Sequence, residues 1–129
     1  MNISKMILKA KEASKKARIH LSHFPVGCCI MSNTGKTYSG CNIEFDNYSN
    51  TIHAEECAIV QMILGGDKIP SIVVVYTKSK DLDFPCGSCR QSLFELGGYD
   101  IKVISCNDVS AKEMTMRELL PLGFKLNKE

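Results

Sequence analysis

NTIHAEECAIVQMILGG, residues 50–66, sets the reading of the whole chain. An apolar run, AIVQMIL, opens on His53, Glu55, Glu56 and Cys57 and closes on Gly65-Gly66, the stop signal of a helix. A helix apolar on nearly every side predicts burial. An imidazole and two carboxylates at a buried entrance are expensive unless each has a partner. A metal ion, and a proton to be moved, are partners of the required kind.

Outward from this helix, strands and helices alternate. Ile3, Met6, Ile7, Ala10, Ala13 and Ala17 recur at three and four residues between lysines, which predicts an amphipathic helix over 2–19. FPVGCCIMS and TYSGCNI flank NTGK and predict a β-hairpin whose turn carries Gly35. Residues 45–51, FDNYSNT, read as a polar loop. SIVVVYTK predicts a strand buried on both faces, and residues 86–96 a helix closed by Gly97-Gly98. IKVISC predicts a further strand, and MTMRELLP a last short helix ended by Pro121. The order α-β-β-α-β-α-β-α predicts an α/β sandwich with a partly parallel sheet, a single domain over 1–129.

Composition excludes several classes. Apolar residues make up 44% and charged ones 23%, the profile of a soluble globule. A net charge of +2 is too small to argue for nucleic acid. The basic N-terminal stretch, Lys5 to Arg18, reads as the solvated face of its helix. No apolar run approaches the ~18 residues needed to span a bilayer. The N-terminus has neither the apolar core nor the cleavage site of a signal peptide, which predicts a cytosolic chain. Seven cysteines in such a chain argue against a disulfide framework and for metal or catalytic use of some of them.

The second polar cluster is FPCGSCRQ, residues 84–91. Cys86 and Cys89, three apart, share a helix face. The first turn of that helix offers free N–H groups and a positive dipole end that favour thiolates. A redox pair is the rival for a lone C-x-x-C, but it gives His53 and Glu55 nothing to do. Zinc does, for two thiolates and a neutral imidazole are three ligands that leave the fourth position open. Glu55, two residues from His53, faces that position without being a ligand. Water on such a metal is acidic near neutrality, and a carboxylate beside it takes the proton and passes it on. Zinc with two thiolates and one neutral histidine is formally neutral and calls for no nearby cation; the residue after Glu55 is Glu56, which fits.

H-A-E, a gap of 29 residues, then P-C-x-x-C is the signature of zinc-dependent nucleobase deaminases. A rival reading adds Cys57, four residues from His53, to make a closed His-Cys₃ structural site and a non-enzymatic protein; it leaves Glu55 without a task. The preferred reading of Cys57 is a small core residue, like Cys28, Cys29, Cys41 and Cys106 in predicted strands. His20 and His23 read as surface or capping residues.

With these residues in hand, the chain resembles the small homotetrameric cytidine deaminases nearly end to end. The resemblance is carried by SHFPVG (22–27), GCNIE (40–44) with Tyr48 beyond, HAE (53–55), PCGSCRQ (85–91) and RELLP followed by Phe124. It implies a three-layer α-β-α sandwich with a five-stranded mixed sheet, and one zinc per chain on His53, Cys86 and Cys89. It also implies Glu55 as the catalytic acid–base. Phe24, Asn42, Glu44 and Ala54 would line the nucleoside pocket, Asn42 and Glu44 holding the ribose. Tyr48 and Phe124 would belong to pockets completed by neighbouring subunits. Read from the residues alone, Phe24 fits a core as well as a pocket, and Asn42 and Glu44 fit turn caps. Small members mostly have cysteine at the position of His53, with arginine after the glutamate; His53 here matches the first ligand of the larger dimeric members, so a dimer is the alternative to a tetramer. The implied reaction is hydrolytic deamination of cytidine and deoxycytidine, with no nucleic acid or membrane partner. A deaminase of cytosine-containing antibiotics is the alternative that shares the zinc motif.

Overall fold

The computed structural model of the protein describes residues 2–126; the ends of the predicted 1–129 domain lie outside them. Five strands form one mixed sheet: β1 (Gly27–Ser32), β2 (Thr37–Cys41), β3 (Pro70–Tyr76), β4 (Lys102–Cys106) and β5 (Ala111–Thr115), in the order β2-β1-β3-β4-β5. Only β3 and β4 run parallel; the other neighbours are antiparallel. Side chains alternate across β3, the central strand. Ile72, Val74 and Tyr76 meet Met6 and Ala10 of α1 (Ile3–Ser14) on one face. Val73 and Val75 meet Ala58 and Met62 of α2 (Ala54–Leu64), with Leu93 and Phe94 of α3 (Gly87–Gly97), on the other. The result is the expected helix–sheet–helix layering.

Gly40 sets how closely α2 lies on the sheet. A Cβ there would stand 2.4 Å from the Ala58 nitrogen and 2.6 Å from the Ala54 oxygen. The first turn of α2 is therefore seated backbone against backbone on β2, and with it the entrance that carries His53 and Glu55.

Three expectations need correction. The first helix stops at Ser14, short of residue 19. Beyond it the Arg18 backbone is captured by the segment after β2: Arg18 N–H donates to Asn42 O (3.0 Å) and Glu44 N–H to Arg18 O (2.8 Å). Tertiary pairing overrides the helical propensity of KKAR. Second, MTMRELLP is only half helical. Met114 and Thr115 end β5, which the spacing missed, and α4 is confined to Met116–Leu119 with Thr115 as its N-cap. A strand reading AKEMT has no apolar alternation, because it is an edge with polar side chains turned to water. Third, α2 is not buried all round. Ala54, Glu55, Ala58, Ile59 and Met62 are buried, while Val60, Ile63 and Leu64 are exposed, Leu64 by 80%.

Candidate active site

Two helix starts converge above the sheet. His53 is the N-cap of α2 and Cys86 the N-cap of α3, both extended in backbone, with Cys89 one turn into α3. His53 Nδ1 lies 3.3 Å from Cys89 Sγ and 3.6 Å from Cys86 Sγ, and the three donor atoms all fall within 4.8 Å of one another. Zn–N of ~2.0 Å and Zn–S of ~2.3 Å at a tetrahedral angle place N and S about 3.5 Å apart, so the donor set has the dimensions of a zinc site. Burial, followed by the Glu55 carboxylate, pushes the Cys89 thiol far above its ordinary range. A thiolate at that depth requires a cation.

Cys57 takes no part in this cluster. As the N-cap, His53 lies outside the helical turn, so spacing of four does not align its side chain with that of Cys57. Cys57 instead borders a separate cavity of about 500 Å³ between α1, β2 and α2, with Cys41, Ser39 and Gln61. Glu56 serves His53 directly. Its carboxylate accepts the His53 backbone N–H (2.9 Å) and lies 3.3 Å from Nδ1.

Glu55 is buried in the first turn of α2. Burial pushes its carboxyl above the ordinary range, opposed by its own backbone N–H and by His53. It opens onto a cavity of about 380 Å³ shared with His53, Cys86 and Cys89. Five expected pocket residues line the same cavity: Phe24, Asn42, Glu44, Tyr48 and Ala54. Phe124 does not; it lies along α3, its backbone bonded to Gln91.

The turn-cap readings of Asn42 and Glu44 hold alongside the pocket. Asn42 Oδ1 accepts Val26 N–H and Nδ2 donates to Phe24 O, each at 2.9 Å. Glu44 is buried and accepts the N–H groups of Leu21 and Ser22, both at 3.0 Å, and the Ser22 hydroxyl. These bonds, the Ser22 hydroxyl foremost, hold the Glu44 carboxyl below the usual range, so it stays ionised in the wall. Together the two side chains clamp residues 21–26 and fix where Phe24 faces the cavity. Phe24 is exposed and no part of the core.

Sequence reasoning missed Ser22, Thr51, Asp83 and Phe84 among the lining residues. Ser22 lay within SHFPVG and its bond to Glu44 had no sequence signal. Asp83 is placed by tertiary contacts alone: Thr77 Oγ1 donates to its Oδ2 (2.9 Å) and Ser105 Oγ to its carbonyl (2.6 Å).

The cytidine and deoxycytidylate deaminase zinc-binding region matches residues 1–105 as a family model. A cytidine deaminase of Mycoplasma genitalium is 37% identical over 97% of both chains. One from Sporosarcina psychrophila is 33% identical over 96% of this chain and 92% of its own. The crystal structure of cytidine deaminase from Burkholderia pseudomallei superposes with a TM-score of 0.91 at 31% identity, covering 96% of this chain and all of that one (100%).

Proposed function

The chain belongs to the cytidine and deoxycytidylate deaminase family, and we propose that it hydrolyses free cytidine and deoxycytidine to the uridines and ammonia in the cytosol, as one domain over 1–129. The observation that carries this is the meeting of three zinc donors and a buried carboxylate at one cavity of nucleoside size. Zinc held by His53, Cys86 and Cys89 supplies the Lewis acidity that makes water acidic near neutral pH.

The chain's own residues do the rest. Glu55 accepts the proton of the attacking water and delivers it to the ring nitrogen next to the reacting carbon; it then takes the proton of the hydroxyl now on that carbon and gives it to the amine, which leaves as ammonia while the carbonyl forms. The overall change is water in and ammonia out, with no other reactant. Phe24 bounds the base, with Ala54 beneath, and Asn42 and Glu44 meet the ribose with the hydrogen-bonding capacity their turn contacts leave free.

Glu44 also decides what is refused. A buried carboxylate at the sugar repels a phosphodiester in a low-dielectric wall and leaves it no room. Cytidine should therefore be converted fully, followed by its ultraviolet change and ammonia release, while cytidine within a single-stranded oligonucleotide stays untouched. Editing of the oligonucleotide would assign the site to polynucleotides, and inertness toward cytidine would overturn the reading.

Homotetrameric assembly with shared sites is part of the same proposal. Val60, Ile63 and Leu64 leave an apolar outer face on α2 that favours a protein contact. Tyr48 and Phe124 are exposed aromatics, 61% and 60%, with no role in their own core. Light scattering on the purified protein should give four times the chain mass; a fully active monomer would refute the shared site.

A further inference from the structure

We infer that Gln91 is a positioning residue: its carboxamide sets the Phe124 ring for the cavity of a second copy of the chain. The inference rests on the shared-site reading above.

Gln91 stands on α3, two residues past Cys89. Its Nε2 donates to Phe124 O (2.8 Å) and its Oε1 accepts Phe124 N–H (3.3 Å). One side chain thus satisfies both backbone groups of one residue, as a neighbouring strand would. The flanking tail is held to the same helix and to Tyr99 just beyond it. Gly123 N–H donates to the Tyr99 hydroxyl (3.0 Å), and a Cβ at Gly123 would stand 2.7 Å from the Phe94 ring. Arg90 Nη1 donates to Leu119 O (2.9 Å).

The backbone is fixed, yet among the described residues the ring it carries joins no core cluster. Phe124 packs in neither core cluster and does not line its own chain's cavity. Ordering a chain segment has an entropic cost, and a ring left 60% exposed returns little of it. Satisfying the tail's backbone needs no phenylalanine at 124. A ring held outward on a rigid mount is suited to stacking on a planar base bound elsewhere. The mount is the helix that opens on Cys86 and Cys89, so each chain's metal-bearing helix also sets the aromatic it lends.

The test is cytidine kinetics on Gln91→Ala, Phe124→Ala and the double variant, each checked for zinc content and assembled mass. Stacking strengths predict a rise in KM of roughly two- to tenfold for Phe124→Ala. Gln91→Ala should raise KM in the same range, the effect falling on KM more than on kcat. The double variant should be no worse than Phe124→Ala, because the two act through one ring. An unchanged KM in Gln91→Ala beside a raised KM in Phe124→Ala overturns the positioning role and leaves the shared site standing, as do additive effects. An unchanged KM in Phe124→Ala removes the shared-site reading itself. Gln91→Glu, nearly isosteric, replaces the Nε2 donor by an oxygen facing Phe124 O. It should raise KM likewise and serves if the alanine variant does not assemble.

Discussion

Glu55→Gln should retain zinc, fold and assembly and lose turnover of cytidine by at least about 10²–10⁴-fold, the span typical of general acid–base catalysis. The residue is buried at the first turn of α2 and faces the cavity shared with His53, Cys86 and Cys89. Glutamine keeps its shape and a hydrogen bond but accepts no proton. One carboxylate serves successive transfers to ring nitrogen and leaving amine, so the loss is expected at or beyond the upper end. Burial raises the proton affinity of this carboxyl, which strengthens it as a base. Glu56→Gln is the matched control. Its amide oxygen still accepts the His53 N–H that Glu56 holds at 2.9 Å, and activity within a few-fold of wild type is expected. Comparable activity in Glu55→Gln, measured by ammonia release, would move the proton transfers to another group.

The contrast between these two adjacent carboxylates was legible in the sequence only in part. H-A-E and P-C-x-x-C, each opening a helix, were enough to pick out three side chains whose donor atoms lie within 4.8 Å of one another, because helix starts present such groups in a fixed way. In the sequence, Glu56 stands out only as an absence of positive charge. The structure gives it a positive task, fixing the backbone of His53 at the helix start. The Cys57 alternative arose from counting four residues along a helix. It fails because His53 caps the helix and stands outside it.

For the fold, periodicity worked where one face is buried. It located the second hairpin strand, α2, β3, α3 and β4 within a residue or two, and began the first hairpin strand three residues early, at Phe24 against Gly27. It failed where pairing across the chain decides the backbone. The Arg18 segment is drawn off its helix by Ile43, and β5 is a polar edge whose hydrogen bonds to β4 leave no trace in side-chain pattern. Exposed Val60, Ile63 and Leu64 show the same limit from the other side: an apolar run predicts burial that the single chain does not supply, and the proposed assembly would.

Cys86→Ser should bring zinc from one per chain to nearly none and lower the unfolding temperature by several degrees, while Cys57→Ala should keep both. Serine places a hard hydroxyl where the site has a sulfur 3.6 Å from His53 Nδ1, leaving one sulfur and one imidazole as donors. With the metal gone, burial and the Glu55 carboxylate favour the protonated Cys89 thiol, so the remaining pair has little affinity to recover it. A ligand that binds only the native state stabilises it by mass action, and its loss is read directly in thermal unfolding. Wild type treated with a chelator should unfold near the temperature of untreated Cys86→Ser, and the chelator should leave that variant unmoved. This pairing separates loss of metal from damage to packing, since a packing defect would persist below the chelated wild type. Cys57 borders the other cavity, with Cys41 and Gln61. Metal analysis showing zinc lost from Cys57→Ala would place it among the ligands, close the fourth position, and leave no room at the metal for the reaction assigned to Glu55.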